Sequence, residues 1–240
     1  MQVYLRKIKM MYGKFFGVGV GPGDPKMLTL RGLEVLKKVD VICAPISKSG
    51  KDSLAVKVVE DLVGGKEIVN LIFPMTKDEE VLNYHWKEAR KKIMMYLKKG
   101  CDVAFLTIGD PTFYSTYLHL LDELRNYDLK IETIPGVTSI SACLSALNLP
   151  LAKGNDKIAI LPASGAHGNL KQLLEEFECI ILMKATRLKD ITKELQYINM
   201  EQYATVFTKC GRQKFASYPL VNLDKNRLDY FSMVYIRRNE

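Results

Sequence analysis

Three short turns hold the residues best suited to chemistry in this chain: Gly19-Val20-Gly21-Pro22-Gly23-Asp24-Pro25, Gly109-Asp110-Pro111 and Pro135-Gly136-Val137-Thr138-Ser139. Each follows an apolar, strand-like run and leads into a helical pattern. Each therefore belongs at the carboxyl end of an expected strand, the edge of an open parallel sheet where ligands bind. Glycine there lets a ligand approach the main chain closely. Asp24 can cap a helix and Pro25 suits its first position, and Gly109-Asp110-Pro111 repeats the same cap-and-proline logic. The third turn enters a run of small residues, Ser141, Ala142, Ser145 and Ala146, that permits close packing.

The usual phosphate fingerprints are absent. Counting G-x-G-x-x-G from Gly17 or Gly19 puts Pro22 or Asp24 at the last position, and Gly50-Lys51-Asp52 neither closes a Walker pattern nor follows a strand. An aspartate at a helix start also competes with phosphate for the same amides and repels it. The first turn suits a ligand without phosphate. Alone, it is also what a tight, well-capped helix start with no ligand would look like, the less favoured of the two readings.

Groups able to move a proton are few. His85 and His119 fall in helical patterns where a packed or surface histidine is the ordinary reading, and His167 is a loop residue. Tyr114 and Tyr117 follow the second turn and could face a ligand, with packing as the default. Asp24 reads as a cap before it reads as a base, so no catalytic side chain is assigned. The five cysteines are odd in number and lack ligand spacing, so free buried thiols are expected and no metal site is.

These turns must be positioned by the elements around them. Phe15–Val20, Val39–Cys43, Glu67–Phe73, Cys101–Ile108 and Lys130–Ile134 read as strands, alternating with helices over Met27–Lys38, Ser53–Val63, Asp78–Lys99 and Thr112–Leu124. Such alternation specifies a parallel sheet covered on both faces. Beyond Leu149, runs at Lys157–Leu161, Cys179–Met183, Tyr203–Phe207, Lys214–Leu220 and Phe231–Arg237 come closer together, and the last three leave no room for long helices, which predicts antiparallel neighbours. The expected fold class is α/β in two domains: residues 1–134 with a parallel sheet and 135–240 with a mixed one.

With 240 residues, 48% hydrophobic and 26% charged, the chain has the composition of a folded protein rather than a disordered one. No apolar run reaches the ~18 residues of a membrane span, and Met1–Met11 lacks the pattern of an export signal. A cytoplasmic protein with no membrane partner is expected. The formal net charge of +8 is spread along the chain rather than blocked as in nucleic-acid binders, and it suits a polyanionic small ligand.

The first turn, with Leu28-Thr29-Leu30-Arg31-Gly32 after it, resembles the opening of the tetrapyrrole (corrin/porphyrin) methylases. The Gly109 and Pro135 turns resemble that family's other two signatures in the same order. The resemblance runs from Lys14 to the end of the chain. Gly109-Asp110-Pro111-Thr112-Phe113-Tyr114-Ser115-Thr116 is similar to the branch that methylates C20 of precorrin-2 or cobalt-factor II in cobalamin biosynthesis. It implies a homodimer that binds S-adenosylmethionine as methyl donor in the cleft between the two domains. Pro22, Ile108, Gly109, Asp110, Phe113, Thr138 and Ser139 would touch that donor, with Met183 and Gly211 added from the second domain. Met183 would equally serve a buried strand. Uroporphyrinogen methylases have an aspartate after the second strand where this chain has Pro45, which argues against their reaction. The substrate class, a macrocycle with many carboxylates, gives the positive charge a role through some of Arg31, Lys48, Lys51, Lys184, Arg187 and Arg212. A methylase of another tetrapyrrole position and a binding domain without catalysis are the alternatives.

Overall fold

The computed structural model describes residues 12–165, 168–185, 188–212, 215–222 and 231–238. It divides into two compact units, one ending at Thr138 and the other beginning at Ser139.

The first unit contains β1 (Phe15–Gly19), α1 (Leu30–Lys38), β2 (Val41–Ile46), α2 (Leu54–Val59), β3 (Glu67–Ile72), α3 (Glu79–Lys98), β4 (Val103–Thr107), α4 (Tyr117–Leu124) and β5 (Ile131–Ile134). Its five strands are all parallel, in the order β3-β2-β4-β1-β5. The central strands β1 and β4 are buried at every position, and for that reason their sequences are continuous apolar runs rather than alternating ones. Alternation still sorts the side chains. Phe15, Val103 and Phe105 pack with Ile93, Leu97, Leu120 and Leu124 beneath α3 and α4, whereas Phe16, Val18, Ala104 and Leu106 pack with Val35, Leu36, Val58 and Val59 beneath α1 and α2.

Two helix starts differ from the sequence expectation. Asp24 accepts the Lys26 N–H at 2.9 Å and caps only a 3-10 turn, Pro25–Met27. The longer helix α1 begins at Leu30, with Thr29 as its cap: the Thr29 hydroxyl oxygen accepts the Gly32 N–H at 3.1 Å. After β4, the chain runs as an irregular loop through 110–116 and α4 starts only at Tyr117. Asp110 thus caps a turn rather than a helix.

The second unit contains α5 (Ser139–Ala146), β6 (Ile158–Pro162), α6 (Leu170–Glu176), β7 (Cys179–Met183), α7 (Leu188–Tyr197), β8 (Ala204–Thr208), β9 (Ala216–Pro219) and β10 (Met233–Arg237). The sheet order is β6-β7-β10-β8-β9; β6 and β7 are parallel, and β10 is antiparallel to both β7 and β8. The closely spaced last strands are antiparallel neighbours as expected. α6 and α7 cover one face through Leu170, Leu174, Leu188, Ile191 and Leu195. No described helix is long and apolar enough to cross a membrane.

One expectation is overturned. Cys143 of α5 and Cys210, just past β8, form a disulfide with Cα atoms 5.2 Å apart, although 67 residues separate them in sequence, so only Cys43, Cys101 and Cys179 are free. Spacing alone could not find this pair, because the two segments meet only when the unit folds. Cys43 is buried beneath the sheet, and burial pushes its thiol up to about 12.

In the same unit, Arg237 of β10 donates to Asp156 at 2.6 Å, and Asp156 also accepts the Lys153 N–H at 2.6 Å. These two bonds, the arginine's first, hold the Asp156 carboxyl below its ordinary value. A depressed carboxyl contributes stability above its unfolded-state value and loses it as pH falls through its folded-state value. Asp156→Asn should therefore lower the melting temperature at neutral pH, and the gap from the parent should close under acid. Thermal melts across the pH range would show a pH-independent gap if the carboxylate were not the cause.

Candidate functional site

The three turns picked out by their residue types become neighbours through sheet order. β1 lies between β4 and β5, with Gly19 paired to Thr107 and Val18 to Ile134. All three strands end on one edge. The chain leaves β1 toward α1 on one face of the sheet and leaves β4 toward α4 on the other. Adjacent parallel strands whose connections depart to opposite faces define the crevice where open α/β sheets hold ligands.

Backbone groups knit this edge together. The Val20 N–H donates to the Thr107 carbonyl at 2.9 Å, and the Gly109 N–H donates to the Gly21 carbonyl at 2.8 Å, closing an antiparallel bridge across the crevice. Asp110 fastens the third turn to the second: one carboxylate oxygen accepts the Gly136 N–H at 3.0 Å, and the other accepts the Thr112 N–H at 2.8 Å and its hydroxyl at 2.5 Å. The Thr29 hydroxyl donates to the Pro135 carbonyl at 3.4 Å, tying the start of α1 to the same turn.

The glycines make this approach possible. A Cβ on Gly136 would stand 2.2 Å from the Gly109 carbonyl oxygen and 2.9 Å from Gly19 backbone atoms, and one on Gly19 would stand 2.7 Å from Gly109 and Gly136. Gly109 differs: at φ +76 its Cβ would project into open space with nothing within 4 Å. Its glycine serves the left-handed turn and leaves the main chain bare on that side.

Of the expected donor-binding residues, the first unit holds Pro22, Ile108, Gly109, Asp110, Phe113 and Thr138 on these three turns. Pro22 is buried and directly follows the Gly21 bridge. The Phe113 ring meets Tyr114 edge-on at 4.8 Å. Tyr114 is 41% exposed and has φ 50, a costly conformation for an aromatic residue. Tyr117 belongs to the core: it is fully buried between Phe15 and Phe105 and hydrogen-bonded to Thr133 at 2.6 Å. A Cβ on Gly17 would stand 2.2 Å from that ring, so Gly17 exists to admit Tyr117.

The second unit holds Ser139, Met183 and Gly211. Met183 ends β7, and Gly211 lies three residues past the end of β8. Because both strands run antiparallel to β10, their carboxyl ends share one edge. The Cys143–Cys210 disulfide draws α5, which Ser139 starts, to the turn holding Gly211. Lys184, one of the basic candidates, and Lys209, the residues following β7 and β8, both take left-handed backbone at φ 55, a conformation their residue type does not signal.

Other candidates are placed differently. Arg31 is held by Glu132 at 2.7 Å and Glu34 at 3.3 Å, chiefly the Glu132 hydrogen bond raising its value further, so it is already paired with carboxylates. Arg212 lies over the Phe231 ring at 4.1 Å. Lys48 and Lys51 are exposed after β2. His119 stacks on Trp86 at 4.2 Å, and His85 meets Tyr84 edge-on. His167 and Arg187 lie outside the described residues.

This two-unit α/β architecture is that of solved methyltransferases. A cobalt precorrin-4 methyltransferase superposes with a TM-score of 0.73 at 22% identity over 93% of this chain and 94% of its own. The uroporphyrin-III-C-methyltransferase of Thermus thermophilus superposes at 0.65 with 23% identity, over 94% of this chain and 92% of its own. The chain belongs to the tetrapyrrole (corrin/porphyrin) methylases, whose family profile matches residues 14–223. Among similar sequences are a probable cobalt-precorrin-2 C(20)-methyltransferase of Methanocaldococcus jannaschii, 40% identical over 94% of this chain and 96% of the relative. A precorrin-2 C(20)-methyltransferase of Sinorhizobium sp. is 31% identical over 93% and 95%.

Gly136→Ala should cost about 1–3 kcal/mol, the usual range for forcing atoms into a filled site, because its neighbours, the Gly109 and Gly19 main chains, cannot turn aside. Chemical denaturation would test this, and a parent-like midpoint would mean the three strand ends are not in mutual contact.

Proposed function

We infer that this chain transfers a methyl group from S-adenosylmethionine to C20 of a precorrin-2-type macrocycle. The carrying observation is the 40% identity, spanning nearly both chains, to a relative named for that reaction on the cobalt-bearing substrate. Two further relatives, one named for the cobalt-bearing and one for the cobalt-free substrate, cover nearly the whole chain at 28% and 31% identity, so identity supports the C20 position for either macrocycle. The macrocycle here is substrate, and any cobalt belongs to it.

The site fits the methyl donor. An electrophilic sulfonium needs little from side chains; the protein must align nucleophile, methyl and sulfur and keep water out. The bare, left-handed Gly109 offers main chain to a ligand, and Asp110, saturated by Gly136 and Thr112, holds the turns rather than acting as a base. In this reading the donor touches Pro22, Ile108, Gly109, Phe113 and Thr138 of the first unit, and the family resemblance adds Ser139, Met183 and Gly211 of the second. Asp110 reaches it only through its main chain. At the carboxyl end of β2, Pro45 offers no carboxylate, in keeping with a reaction other than that of the uroporphyrinogen enzymes. The family resemblance further supports a homodimer working in the cytoplasm, which sedimentation of the purified protein would check for assembly.

Calorimetry should detect S-adenosylhomocysteine binding at tens of micromolar or tighter, the ordinary range for a methyl-donor site. With methyl-labelled S-adenosylmethionine and cobalt-factor II, NMR should place the label at C20; a label on another carbon would reassign the reaction. Gly109→Ala should cost about 1–2 kcal/mol of stability from its left-handed backbone and weaken S-adenosylhomocysteine roughly tenfold by filling the space above the turn.

A further inference from the structure

We propose that the Thr107 hydroxyl is a donor-binding group, forming a hydrogen bond to S-adenosylmethionine at the crevice between β1 and β4. The inference rests on the methyltransferase reading above and deepens it by assigning a side chain where the turns offer main chain.

Thr107 is the last residue of β4 and only 6% exposed. Its carbonyl is occupied by the Val20 N–H at 2.9 Å, but its hydroxyl oxygen has no hydrogen-bond partner among the described residues. Burying a hydroxyl unpaired is costly, and valine has nearly its shape without that cost. Other hydroxyls at this edge are satisfied: Thr29 by Gly32 and Pro135, Thr112 by Asp110, Ser115 by the Pro111 carbonyl, and Thr133 by Tyr117.

One flank of Thr107 leaves room for a ligand. Alternation along β4 puts its side chain on the face of Val103 and Phe105. Its register partner on β1 is Gly19, whose missing side chain makes way for the main chains of Gly109 and Gly136. On the other flank the β2–β4 ladder ends at the pair Cys43 and Phe105, two residues short of Thr107. The hydroxyl therefore stands at a strand end with the packed glycine turns on one side and an opening sheet on the other, two residues before the bare Gly109. Among the described residues, the other unpaired buried hydroxyl is Ser53, which precedes α2 on the opposite face. Sequence reading passed over Thr107 because a threonine closing an apolar strand is ordinary; only its burial without a partner marks it.

The test compares the parent with Thr107→Val and Thr107→Ser, measuring unliganded melting temperature and calorimetric affinity for S-adenosylhomocysteine. Thr107→Val should melt at or above the parent temperature yet bind about tenfold more weakly, whereas Thr107→Ser should stay within about threefold of the parent. A purely structural hydroxyl would instead lower the melting temperature on removal. Parent-like binding by Thr107→Val overturns the inference alone, as does an affinity loss that tracks a fall in unliganded stability. If the parent binds no S-adenosylhomocysteine, the methyltransferase reading falls and this inference with it.

Discussion

At the carboxyl edge of the first sheet, the main chains of Gly19, Gly109 and Gly136 lie closer than any side chain would allow, with a Cβ on Gly136 placed 2.2 Å from the Gly109 carbonyl. This steric constraint brings the ends of β4, β1 and β5 into a single surface. The Gly109-to-Gly21 hydrogen bond and the Asp110 carboxylate can form only because the backbones already touch. The same closeness leaves polar main chain, rather than side chains, at the mouth of the crevice. A reaction whose electrophile arrives preactivated asks for little else, since alignment and exclusion of water supply most of what the protein must add.

Charge is organised more locally than the net value suggests. Arg31 is neutralised by Glu132 and Glu34 on the outside of the sheet, and Arg237 is committed to Asp156 within the second unit. The excess of +8 therefore does not translate residue by residue into substrate binding. Lys184 and Lys209 follow β7 and β8, which both run antiparallel to β10, in a left-handed conformation.

Much of the fold was legible because its signals are local and periodic. Buried strands β1 and β4 must be apolar throughout, and the switch to closely spaced runs after Leu149 correctly announced antiparallel pairing. The errors came where two local signals competed. Asp24-Pro25 and Asp110-Pro111 both carry the signature of a helix start, yet one opens a single 3-10 turn and the other an irregular loop. Thr29 takes the capping role at α1, whose Val35 and Leu36 pack with Val18 and Leu106. Asp110 was drawn instead to Gly136, a partner 26 residues away that no local rule contains.

By itself, the sequence determined the alternation of elements, the three glycine turns and their order, and through them the family, because each of these depends on residues near one another in the chain. Tertiary structure alone decided which turns become neighbours, that Cys143 meets Cys210 across 67 residues, that Tyr117 is core and Tyr114 exposed, and that Thr107 is buried without a partner. Pairing, burial and satisfaction of polar groups are relations between distant segments, and they acquire values only once the sheet order is set.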